Sequence, residues 1–99
     1  NGECFVDSAP PNRLLPDHND YTDNTPKKCI FECRKRGFAY AGVQYGINCF
    51  CGNTRPPDVW SVDSSQCHWP CEGDQAQKCG GLNWQMNVYQ IGELNFTMF

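Results

Sequence analysis

Eight cysteines, at positions 4, 29, 33, 49, 51, 67, 71 and 79 of a 99-residue chain, constrain this sequence more than any other feature. A domain this short buries too little apolar surface to rest on its core alone, and an even number of cysteines at this density reads as a disulfide scaffold made in an oxidising compartment. Cys29 and Cys33 stand four residues apart, Cys49 and Cys51 two. On a helix the first pair shares a face, about 6 Å apart along the axis. On a strand the second pair shares a face, about 6.7 Å apart. A helix laid over a sheet can join the two pairs by parallel bridges, whereas bonds within either element would constrain almost nothing. Spacing alone leaves open whether Cys29 meets Cys49 or the pairs cross. Zinc ribbons favour C-x-x-C knuckles, which C-x3-C, C-x-C and C-x3-C do not supply, so no metal ligation is expected. Asp17, Asn19, Asp20 and Asp23 cluster without the glycine and terminal glutamate of an EF-hand loop and read as a solvated acidic loop. No cofactor is expected.

The local pattern fills in the α+β scheme. Residues 9 to 25, rich in Pro, Asn and Asp, read as a long loop. Thr25 before Pro26 supplies an N-cap and a first-turn proline, and Gly37 suits the far end, so a helix is predicted over 26–36. Phe38 to Tyr45 and Cys49 to Cys51, separated by Gly46-Ile47-Asn48, predict a β-hairpin. Arg55 to Gly81 reads as loops, and Trp84, Met86 and Val88 alternate with polar neighbours as a strand with one buried face that closes the sheet.

Charge and hydropathy exclude several classes. A net charge of -3 argues against nucleic acid, which needs a concentrated basic face. The cluster Lys27, Lys28, Arg34, Lys35 and Arg36 reads as the solvated face of the helix. No apolar run approaches the roughly 20 residues of a spanning helix, so no membrane insertion is expected. The start at Asn1-Gly2-Glu3 reads as a mature or excised ectodomain, secreted or extracellular, and Asn95-Phe96-Thr97 is a glycosylation sequon on Asn95.

The ordered motifs Cys29-Ile30-Phe31-Glu32-Cys33, Gly37 through Gly46, Cys49-Phe50-Cys51-Gly52-Asn53, Cys67-His68-Trp69-Pro70-Cys71-Glu72-Gly73-Asp74 and Cys79-Gly80-Gly81 with Val88-Tyr89 resemble a WSC domain from about Gly2 to Tyr89. The resemblance implies bridges Cys4 to Cys67, Cys29 to Cys49, Cys33 to Cys51 and Cys71 to Cys79. It also implies a helix on an antiparallel sheet, related to PAN and apple modules. A WSC-like domain is expected over 1–92, with a tail at 93–99 that matches nothing. His68 stands where many members carry Asn, and the bulky Trp69 follows it.

The aromatic residues exceed what a small, four-bridge core requires. Trp60 and Trp69, in irregular segments, are the first ligand-binding candidates, joined by Tyr45, Asn53 and Asp74. Tyr45, Phe50 and Trp84 fall in predicted strands and read first as core, with Tyr45 kept as a candidate. Flat rings beside amides and carboxylates suit a sugar, whose apolar face stacks while its hydroxyls find partners, here offered by Asn48, Asn53, Asp58, Gln66, Asp74 and Asn83. The resemblance points the same way, since WSC modules occur on fungal wall sensors and beside carbohydrate-active enzymes, where they engage β-glucans or related polysaccharides. The expected function is therefore non-catalytic binding of a polysaccharide or glycan. The alternative is recognition of a secreted or cell-surface protein, as in the Kremen co-receptors that carry a WSC domain, or a secreted signalling or defence role. An enzyme is not expected, because no carboxylate pair or nucleophile with an oriented base emerges from the spacing.

Overall fold

A computed structural model describes residues 2–8 and 13–91. The expected tail at 93–99 and the sequon at Asn95 lie outside the described residues. Five strands, β1 (Glu3–Val6), β2 (Asp17–Asp20), β3 (Tyr40–Gln44), β4 (Asn48–Gly52) and β5 (Gln85–Gln90), form one antiparallel sheet in the order β1-β5-β3-β4-β2. The helix α1 (Pro26–Lys35) lies across β3 and β4.

The helix forms where its caps direct. Thr25 Oγ1 accepts the Lys28 N–H at 3.0 Å, and Pro26 occupies the first turn, where its missing N–H costs nothing. At the other end Arg36 is the C-cap, one residue short of the predicted extent. Gly37, at φ +88°, donates to the Arg34 carbonyl and Phe38 to that of Cys33, the two bonds of a Schellman stop. The buried Cys29 and Cys33 face the sheet.

Period-two alternation divides the sheet into two faces. On the helix side Ala41, Val43, Cys49 and Cys51 form a buried cluster with Cys29, Cys33, Cys71, Cys79 and Ile91. Cys29 bonds Cys49 and Cys33 bonds Cys51, with Cα atoms 5.5 and 5.4 Å apart, the uncrossed arrangement. Cys4–Cys67 ties β1 to the irregular segment after β4, and Cys71–Cys79 closes a short loop. All eight sulfurs are consumed in bridges. On the other side Phe5, Leu15, Phe50, Met86 and Val88 form a second buried cluster.

Three expectations need correction. Residues 9 to 25 are not all loop, because Asp17–Asp20 pairs with β4 as an edge strand. Its four side chains are polar on both faces, so it carries no apolar alternation to read. β5 does not close the sheet but runs between β1 and β3. Finally, Trp84 lies one residue before β5, so it does not share the buried face of Met86 and Val88.

Candidate ligand-binding surface

Away from the helix, the sheet register lines up a polar row at one end. Asp20 pairs with Asn48, Asn48 with Gln44 and Gln44 with Met86, all on the same face. The next row toward the sheet centre, His18, Phe50, Gly42 and Val88, is mainly apolar. The second core therefore gives way to amides and a carboxylate at this end. Asn48 Nδ2 donates to Asp20 Oδ1 at 2.6 Å, and His18 Nε2 lies 2.9 Å from the same oxygen while its ring stacks on Phe50 at 4.6 Å. These bonds hold the Asn48 amide in one orientation.

An open recess of about 250 Å³ sits over this row, lined by Arg13, Gln44, Tyr45, Asn48, Leu82 and Trp84. Tyr45 and Trp84 are 52% and 43% exposed, and both hold the left-handed backbone region, at φ 55° and 71°. Non-glycine residues adopt that region at a cost. Arg13 is fixed between rings, its Cζ 4.8 Å from the Phe50 centroid and 5.5 Å from that of Trp84. The buried Asp7 anchors this side. Its Oδ2 accepts from Arg13 Nη1 at 3.1 Å, its Oδ1 accepts the Leu14 and Ser8 N–H groups, and its own N–H donates to the Trp84 carbonyl. Gln44, only 7% exposed, contributes an amide whose Oε1 has no hydrogen-bond partner.

The structure brings together two of the five residues predicted to bind ligand. Tyr45 and Trp69 stack with ring planes 6° apart and centroids at 6.5 Å. Trp69 is half-buried and pinned, its N–H donating to the Gly80 carbonyl and its own carbonyl accepting the Cys79 N–H. Gly46 makes room for it: at φ +79°, a Cβ there would meet the Pro70 carbonyl oxygen at 2.9 Å. Of the five, Tyr45 alone lines the recess, and Trp60, Asn53 and Asp74 are elsewhere. Trp60 is exposed on a 3-10 turn flanking β1, beside Val59. Asn53 follows β4, and its Oδ1 accepts the Ala39 N–H. Asp74 accepts from Gln77 Nε2 and the Ala76 N–H within the Cys71–Cys79 loop, bonds that hold its carboxyl below the usual range. Phe50 is core, as expected of a strand residue, but Tyr45 and Trp84 are exposed, against that reading. Sequence reasoning named Asn48 only as one possible amide and missed Arg13, Gln44 and Leu82. Gln44 ends one hairpin strand and Asn48 begins the next, so their pairing across the turn was the one signal for the polar row.

A larger cavity of about 410 Å³ opens on the helix side, with Gly2, Pro26, Lys78, Asn87 and Tyr89 in its wall. Its one aromatic residue, Tyr89, is half-buried. A Cβ on Gly2 would meet the Tyr89 ring at 2.7 Å, so the Gly2 backbone already packs against that ring, and burial pushes the Tyr89 phenol up. Asn87 is committed, accepting the Gly80 N–H and donating to the Gly2 carbonyl.

Among the described residues, no helix is long and apolar enough to cross a membrane. The chain is similar to several curated proteins. It is 41% identical over 96 residues to xylosyltransferase oxt of Drosophila melanogaster, covering 95% of this chain and 11% of that protein. It is 37% identical over 81 residues to human Kremen protein 1, covering 79% and 17%. A WSC domain-containing protein of Arthroderma benhamiae is 33% identical over 95 residues, covering 92% and 10%. The chain thus spans a small part of each relative, and in the xylosyltransferase it corresponds to a minor portion of a larger enzyme. Modules of this kind are typically extracellular or lumenal. With the WSC domain profile matching residues 2–81, a span that holds the helix, four of the five strands and all four bridges, the chain belongs to the WSC domain family.

Proposed function

We propose that this WSC domain is a secreted, non-catalytic carbohydrate-binding module whose sugar seats in the recess between Tyr45 and Trp84. One observation carries the reading: two exposed rings, both on backbone that side chains ordinarily avoid, flank a recess lined with amides and a guanidinium. Local strain of this kind clusters at ligand sites. A pyranose stacks its apolar face on such a ring, and its hydroxyls can exchange hydrogen bonds with Asn48, Asp20 and Arg13. Glycan-array screening of the intact domain tests the reading, with Trp84→Ala as control. Wild type should retain a defined set of glycans, and the variant should lose about 1 to 3 kcal/mol of binding, the range for flat rings stacked on aromatic side chains. Wild-type signal no higher than background across the array would exclude the proposal.

A second reading, recognition of a protein partner, is favoured by a different observation. Val59 and Trp60 are 81% and 45% exposed side by side, apart from the recess, and Kremen protein 1 is among the relatives. Two residues are a small fraction of the roughly 800 Å² per partner in a standard interface, so the sugar reading comes first.

A further inference from the structure

Gln44 closes β3, between Asn48 of β4 and Met86 of β5. It combines three properties: it is more than nine-tenths buried, it lines the recess, and its Oε1 meets no hydrogen-bond donor. Buried polar atoms without partners are rare in folded proteins and costly, so each one calls for a reason. One other side-chain atom among the described residues shares this condition, Asn24 Oδ1. The Asn24 amide nitrogen, however, donates to the carbonyls of Gly46 and Asn48 and so holds the β3–β4 turn together. A leucine or methionine would fill the Gln44 position without an unpaired acceptor.

Resting on the glycan-binding reading above, we propose that Gln44 is a specificity-determining residue of the recess, its Oε1 reserved for a hydroxyl of the bound sugar. The oxygen is closed to solvent in this structure. The terminal torsion of a glutamine is broad, so the amide can turn to present this oxygen to a ligand in the recess that Gln44 lines. The group that meets it must donate a hydrogen bond. A sugar hydroxyl does so, whereas a carboxylate or sulfate only accepts. The surrounding charges act in the same direction. The Arg13 guanidinium is paired with Asp7, and the Asp20 carboxylate stands beside Asn48 at the rim. The recess therefore selects its ligand by where hydroxyls are placed, and anionic sugars are disfavoured.

The test compares wild type, Gln44→Met, Gln44→Leu and Trp84→Ala by thermal unfolding and by binding to immobilised laminarin, xylan, chitin and pectin. Methionine and leucine approximate the glutamine volume without its polar atoms. Both variants should melt no lower than wild type, with a gain on the order of 5 °C where the unpaired oxygen is removed. Both should bind the preferred polysaccharide about three- to tenfold more weakly, the loss of one neutral hydrogen bond. Unchanged affinity in both, while Trp84→Ala loses binding, would overturn the role of Gln44 and leave the recess reading intact, as would follow from an amide satisfied by a resident water. Lower melting temperatures in both would also overturn it, by making Gln44 a support of the fold. Binding to pectin alone, abolished by salt, would show selection by charge and overturn it too. Failure of wild type to bind any of the four polysaccharides would remove both proposals together.

Discussion

Tyr45 and Trp84 place bulky side chains at positive φ, where steric conflict with the following carbonyl costs on the order of 1 kcal/mol or more. Glycine would relieve that conflict at either position. Comparing Trp84→Gly with Trp84→Ala isolates the backbone cost, since both variants lack the ring and its stacking with Arg13. The glycine variant should be the more stable by about 1 kcal/mol in chemical denaturation, with glycan binding lost in both. Equal stability would mean that the backbone at Trp84 is relaxed. The same dihedral explains why this residue was misread from sequence. Trp84, Met86 and Val88 alternate as one face of a strand, and Met86 and Val88 are buried accordingly. Hydrophobic periodicity contains no record of φ, however, and a left-handed residue just ahead of the strand turns its side chain outward. Gln44 was hidden for a related reason: polar residues at strand ends ordinarily read as surface, and its burial comes from neighbours distant in sequence.

Among the elements, those with local chemistry were the legible ones. The helix follows from Thr25, Pro26 and Gly37, and its sheet-facing side from the spacing of Cys29 and Cys33. The hairpin of β3 and β4 follows from its aromatic and small residues and from the Cys49, Cys51 pair. β2 was not legible because Asp17, His18, Asn19 and Asp20 owe their conformation to pairing with β4 rather than to burial. The segment leading to β2 depends on one side chain. The Asp7 carboxylate holds Arg13 and the Leu14 N–H, which brings Leu15 over Phe50 and Met86. Asp7→Ala leaves those donors without their acceptor and should destabilise the domain by about 3 kcal/mol, measured by urea denaturation. Hydrogen exchange should rise first at Leu14 and Leu15. A loss below about 0.5 kcal/mol would show that the segment is held by its apolar packing alone.

At the scale of the whole molecule, four bridges join cysteines 63, 20, 18 and 8 residues apart, tying the helix to β4 twice and β1 to the segment after β4. Bridges stabilise chiefly by restricting the unfolded chain, at about 2 to 4 kcal/mol each before non-additivity, which rivals the total stability of a domain this size. Excess reductant should therefore abolish cooperative melting followed by circular dichroism, and a reduced chain that melts as the oxidised one does would contradict this. The register of the sheet has a further consequence. Glu3 lies beside Val88, and Gln90 beside Tyr40, so the polypeptide enters and leaves at the same margin. Gln44, Asn48 and the start of β5 occupy the opposite margin. Inserted within a longer polypeptide, such a unit would hang from its host by a narrow stem and hold the recess outward, clear of whatever lies at its base.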